Sequence, residues 1–212
     1  MKDTTAKILE ELTERYPRLA VCKKDVEKAF ELLCETYRKG KKLLVCGNGG
    51  SAADSEHIVG ELMKSFKKKR PIPESEKALL SETEEDAKLC AALEGGLPAI
   101  SLTSHLSLST AFANDNEPSA VFAQQLYVLG EKGDCFLAIS TSGNSKNCAY
   151  AARVAKLKGI PMVAMTGEKA SVLSERSDVC IRVPETETYK VQELHLPVYH
   201  CLCAMLEEEF FD

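Results

Sequence analysis

Residues 43–57 read LLVCGNGGSAADSEH. An apolar run stops at Gly47-Asn48-Gly49-Gly50-Ser51, and a helix-like stretch follows. A strand that turns through glycines into a helix leaves backbone N–H groups at the helix start with room for close approach. Such a turn suits an anion or sugar hydroxyls; the bland alternative is a tight structural turn. The dinucleotide fingerprint is incomplete, because Gly47 and Gly49 are spaced for it but Ala52 holds the next glycine position. No Gly-Lys-Ser or Gly-Lys-Thr follows, which excludes a P-loop.

A second stretch has the same design. Residues 136–147, FLAISTSGNSKN, run from apolar residues through small polar ones into a helical pattern. Ser140, Thr141, Ser142 and Ser145 place four hydroxyls within six residues, and Gly143 adds backbone freedom. A plain helix cap needs only one hydroxyl. Four beside a helix start suit a phosphate. Two such turns in one parallel sheet place a single site at the C-terminal edge of the strands.

The flanking pattern supports that sheet. Apolar residues at helical spacing predict helices over 4–16 and 24–39, then a strand at Leu43–Cys46 and a helix from about Ala52 to Phe66. Short apolar strands follow at Ala99–Leu102, Phe136–Ile139, Met162–Met165 and Val179–Val183, with a helix over 147–159 ended by Gly159-Ile160-Pro161. Strands this apolar, alternating with helices, read as an α/β fold whose parallel sheet is covered on both faces. Residues 67–97 break the alternation: a basic, Pro-broken start leads into Glu74, Glu76, Glu82, Glu84, Glu85 and Asp86, with helical character within 82–94. This excursion reads as a solvated insertion, a lid or an oligomer contact.

Composition narrows the class. The 212 residues suit one domain, the 44% hydrophobic content supports a sizeable core, and a net charge of −5 argues against a general nucleic-acid binder. Nine cysteines, an odd number with no CxxC pair, lie mostly in apolar runs and read as buried thiols in a reducing compartment. Cys201 and Cys203 are two apart, so on a helix they face different ways. The charged start MKDTTAKILEELTERY and the lack of any apolar run near ~18 residues place the protein in the cytoplasm, with no membrane span expected.

The titratable candidates sit at both ends of the chain. His57 and Glu61 are four apart on one helix face, and Gln192, His195 and His200 fall within nine residues near the C-terminus. His105 and His195 read as structural. His57, Glu61, Gln192 and His200 suit a mixed N/O metal site or an acid–base pair.

At these residues the sequence resembles the sugar isomerase (SIS) domain family. GNGGSAADSEH, AISTSGNS and VQELHLPVYH look like the phosphoheptose isomerases within it, which convert sedoheptulose 7-phosphate to D-glycero-D-manno-heptose 7-phosphate. The resemblance implies a three-layer sandwich, a five-stranded parallel sheet between helices, in a single SIS domain over residues 1–212. It implies a homotetramer with sites between subunits. Asn48, Gly49, Gly50 and Ser51 would face the sugar, Ser140, Thr141, Ser142 and Ser145 the phosphate, and Asn114-Asp115 would lie near the substrate. Glu61 and His200 match the acid–base pair; His57, Glu61, Gln192 and His200 match a zinc site, with Glu61 and Gln192 also on the substrate.

The chain departs from the pattern in three places. Tyr189 replaces an aspartate three residues before the glutamine, Pro197 sits between Gln192 and His200 where a helix would bend or restart, and the 67–97 excursion is longer than the family's. The expected function is therefore an aldose–ketose isomerase acting through an enediol. A phosphosugar- or protein-binding regulator without chemistry, and an isomerase of a different sugar phosphate, are the alternatives.

Overall fold

A computed structural model describes residues 1–211. The chain opens with α1 (Asp3–Arg15), a 3-10 turn at Pro17–Cys22, and α2 (Lys23–Arg38). The apolar spacing of α2 buries Val26, Ala29, Phe30, Leu33 and Tyr37 on one face. Then come β1 (Leu43–Gly47), α3 (Gly50–Met63), two short helices α4 (Glu74–Lys77) and α5 (Glu84–Ala92), and β2 (Ala99–Ser101). The second half runs α6 (Leu106–Asp115), α7 (Val121–Leu129), β3 (Cys135–Ile139), α8 (Lys146–Lys158), β4 (Met162–Thr166), α9 (Val172–Arg176), β5 (Val179–Arg182) and α10 (Thr188–Phe210).

The five strands form one parallel sheet in the order β2-β1-β3-β4-β5. Every residue of β1, β3 and β4 is buried, as a sheet covered on both faces requires. Alternation divides them. Leu43, Val45, Leu137, Ile139, Val163 and Met165 point into one core with α1, α2, α3 and α10. Leu44, Cys46, Phe136, Ala138, Met162 and Ala164 point into the other with α7, α8 and α9.

Two expectations need correction. The helix expected to reach Phe66 ends at Met63. Arg70, fully buried, takes the carbonyls of Leu62 and Glu61 at 2.8 and 3.2 Å, while the Glu207 carboxylate accepts the N–H groups of Phe66, Lys67 and Lys68. Together they turn the chain out of the helix. At Pro197 no restart occurs: α10 runs through it from Thr188 to Phe210. Proline removes one N–H there, and the buried residues around it, from Val191 to Leu206, keep the helix seated.

The excursion is closed at its base. Ser65 gives its N–H and hydroxyl to Glu94 at 2.9 and 2.7 Å, Gly95 N–H reaches Arg70 O at 2.6 Å, and Pro71 bridges Glu94. Beyond that base, α4 buries nothing and α5 buries only Cys90, leaving Leu79, Leu89 and Leu93 exposed. All nine cysteines are unpaired, eight of them buried. Burial pushes the Cys22 thiol up to about 11 and those of Cys34 and Cys201 to about 12, which disfavours a nucleophilic thiolate at these positions. No described helix is long and apolar enough to cross a membrane.

Candidate active site

Strand order reverses between β1 and β3, since the chain leaves β1 toward β2 on one side and returns to β3 on the other. In open parallel sheets this reversal opens a crevice at the carboxyl ends of the strands. The two loops singled out in the sequence are the ones that leave β1 and β3 at that point.

The β1 loop turns through Gly49, whose φ of 55° and ψ of −121° suit glycine alone, and enters α3 with no side-chain cap. Asn48, Gly49 and Gly50 are exposed, and Ser51 is buried. A Cβ on Gly50 would lie 2.6 Å from Gln192 Nε2, so Gln192 of α10 rests its amide on this loop. The β3 loop turns through Gly143, at φ 65°, where a Cβ would meet Ser171 Oγ at 2.0 Å. Ser145 stands at the cap position of α8, yet its hydroxyl pairs with Ser140 Oγ at 3.0 Å instead of capping the helix. Asn144 braces the loop from behind: its Oδ1 accepts Val172 N–H, and its Nδ2 donates to Ser142 O.

The acid and the imidazoles meet where α3 crosses α10. His57 Nε2 lies 3.2 Å from Glu61 Oε1, Lys64 Nζ donates to Glu61 Oε2 at 2.9 Å, and the His57 and His200 rings stand edge to face at 4.9 Å. Phe66, just past the end of α3, packs on the other side of His200 at 5.5 Å. Burial pushes the Glu61 carboxyl up, but hydrogen bonds and charge from Lys64 and His57 outweigh it and hold Glu61 below the usual carboxylate range. Burial, aided by His57, lowers His200, with Glu61 opposing. At neutral pH the pair is thus an ionised carboxylate beside a neutral imidazole.

Behind the pair, Tyr199 donates to Asp54 Oδ1 at 3.2 Å and sits 3.0 Å from His57 Nδ1. Burial raises the Asp54 carboxyl and, with Asp54 beside it, the Tyr199 phenol. His195 has the structural role its pattern suggested: fully buried, it donates from Nε2 to Thr166 O at 3.3 Å, and burial lowers it to about 4. His105 pairs with Gln125 at 2.7 Å.

Imidazole, carboxylate and amide form a donor set that suits zinc, and His200 Nε2 is buried with no partner. Among the described residues, however, no three His, Cys, Asp or Glu side chains gather around one point. Glu61 already carries His57 on one oxygen and Lys64 on the other. The set suits a metal in the chemistry of its donors, and loading it would require the side chains to converge and Lys64, 58% exposed, to release Oε2.

Comparison with known proteins decides the family. SIS-domain models match residues 7–95 and 99–205. A phosphoheptose isomerase of Aneurinibacillus thermoaerophilus is 38% identical over 88% of this chain and 82% of its own. The chain belongs to the phosphoheptose isomerase family of SIS domains. Solved structures agree: a phosphoheptose isomerase from Francisella tularensis superposes with a TM-score of 0.71 at 26% identity, covering 97% of this chain and 94% of that one. One from Neisseria gonorrhoeae gives 0.69 at 28%, covering 94% and 98%.

The fold brings His57, Glu61 and His200 together, sets Gln192 against Gly50 and Ser140 against Ser145, and leaves Asn114 and Asp115 apart. Asn114 and Asp115 end α6, are exposed, and bond to each other at 2.9 Å. Their nearest tie to the phosphate-type loop is indirect, through the Glu117–Lys146 ion pair at 3.0 Å. Sequence reasoning missed Tyr199, Asp54, Lys64, Phe66 and Asn147. Tyr199 reads as one more apolar residue of a core helix. Lys64 was within reach of the i, i+3 rule, being three residues after Glu61.

Proposed function

We propose that the protein is an aldose–ketose isomerase that interconverts sedoheptulose 7-phosphate and D-glycero-D-manno-heptose 7-phosphate. The observation that carries this is the ionised Glu61 carboxylate with the neutral His200 ring, on the two helices that meet the glycine-rich loop: α3 starts from it and Gln192 of α10 rests on it. A protein that only bound a phosphosugar would need the loops and not the pair.

In this reading Ser140, Thr141, Ser142 and Ser145 hold the phosphate, and the start of α8 adds its N–H groups. Asn48, Gly49, Gly50, Ser51 and Gln192 take the sugar hydroxyls. Glu61 removes a proton from C1 of the ketose, giving the enediol. A proton then returns to C2, while His200 carries the hydroxyl proton from O1 to O2. The net change is one hydrogen moved from C1 to C2 and one from O1 to O2. Grip on the remote phosphate holds the carbon pair between the two groups.

His57, Glu61, Gln192 and His200 would hold zinc, which supplies Lewis acidity to the sugar oxygens when bound. The reading includes a homotetramer with sites between subunits. In its support, α6 buries none of its residues and leaves Leu106 and Leu108 exposed. Asn114 and Asp115 would be brought to a substrate at that interface. Nine unpaired cysteines support a reducing compartment such as the cytoplasm.

The test is incubation of the purified protein with sedoheptulose 7-phosphate, with and without added zinc, following aldose formation. Turnover that rises with zinc is expected. Binding of the sugar without turnover under either condition would move the assignment to a non-catalytic phosphosugar sensor.

A further inference from the structure

The two ligand loops touch each other through a side-chain pair that no sequence pattern announces. Asn48 Nδ2 donates to Asn147 Oδ1 at 2.9 Å, and Asn147 Nδ2 donates back to Asn48 Oδ1 at 2.8 Å. The two residues lie 99 positions apart in sequence, on either side of the strand-order reversal. Asn48 belongs to the β1 loop; Asn147 is the second residue of α8, directly after the serine loop.

The orientation of the pair is determined by its surroundings. Asn147 Oδ1 also accepts the Cys148 N–H at 3.0 Å, so its oxygen, not its nitrogen, must face the helix start. That leaves Nδ2 of Asn147 as donor and obliges Asn48 to present Oδ1 to it. Beneath the pair lies a buried thiol floor: Asn48 Nδ2 is 3.9 Å from Cys148 Sγ, which is 3.8 Å from Cys46 Sγ at the end of β1. The amides are thus anchored below, with Asn48 exposed and Asn147 half-buried.

We infer that Asn147 is a positioning residue: it clasps Asn48 and fixes the spacing between the sugar-facing loop and the phosphate-facing loop. This rests on the isomerase reading of the site. A phosphosugar spans both loops, so its binding depends on their spacing; a free phosphate occupies only the serine loop and does not. Loss of two such hydrogen bonds corresponds to a loss of phosphosugar affinity of roughly fivefold to a hundredfold.

The test uses Asn147→Ala, with Asn147→Gln as a variant that keeps the amide but misplaces it. Calorimetric titration with sedoheptulose 7-phosphate and with inorganic phosphate is compared across wild type and variants. The clasp predicts phosphosugar binding weakened about fivefold or more in both variants, with inorganic phosphate binding within about twofold of wild type. Equal weakening for both ligands would overturn it, because a general collapse of the α8 start would do that; so would unchanged phosphosugar binding. Backbone ¹⁵N relaxation supplies an arm that needs no ligand. Order parameters at residues 48–50 should fall in Asn147→Ala while those at 140–145 hold. If the wild type binds no phosphosugar, the isomerase reading fails and the relaxation result alone decides the clasp: no change at 48–50 overturns it.

Discussion

Glu61→Gln is expected to lower kcat for phosphosugar isomerisation by about 10²–10⁴-fold while leaving the affinity for the sugar phosphate nearly intact. Glutamine keeps the shape of the side chain and still offers an oxygen to Lys64, which holds Glu61 at 2.9 Å. What it loses is the basic carboxylate. Glu61 lies on α3, away from the serine loop, so the grip on phosphate should not change. Steady-state kinetics beside a calorimetric titration separates the two effects. A variant with wild-type kcat would remove Glu61 from the chemistry, and one that no longer bound the sugar would make it a binding residue.

Arg70→Met should destabilise the fold by about 3–5 kcal/mol, the usual cost of leaving a buried charge without its partner. Arg70 and Glu207 are the one ion pair among those described with both side chains essentially sealed from solvent, at 0% and 1%, and 2.8 Å apart. At this chain length the thermal midpoint should fall on the order of 10 °C. Replacing both partners with apolar residues often restores stability in a simple buried pair. Here it should not. Glu207 also satisfies the N–H groups of Phe66, Lys67 and Lys68 in partly buried hydrogen bonds, and the double variant would leave all three without their acceptor. Urea unfolding of Arg70→Met, Glu207→Leu and the double variant checks this. A double variant as stable as wild type would reduce the cluster to an ordinary ion pair. Because Phe66 packs on His200, loosening this turn should also lower activity in the fraction that remains folded.

The sheet was legible because its strands are short, wholly apolar and separated by helices; only their ends were misjudged. Leu102 and Val183 fall just outside β2 and β5, yet their N–H groups still reach Val45 O and Thr166 O. The two ligand loops were legible for a different reason. Glycine and clustered hydroxyls at strand ends have few other physical explanations, and Gly49 and Gly143 indeed take positive φ. The turn after Met63 was not legible, because its cause lies in Arg70 and in Glu207, far along the chain. The same holds for Tyr199, which sits one residue from His200 but joins the site only because α10 crosses α3 beside His57 and Asp54. Long-range side-chain pairs leave no local periodicity, and the Asn48–Asn147 pair is the clearest case.

The most direct test of the central claim is isomerisation of sedoheptulose 7-phosphate in deuterated water, with the aldose product read by NMR at C2. Proton abstraction by Glu61 places the transferred hydrogen on a carboxylate in contact with Lys64 and His57, both of which exchange with solvent. The enediol route therefore predicts deuterium at C2 of the aldose. Product formed at full rate with only protium at C2 would contradict it and point to direct hydride transfer between the two carbons.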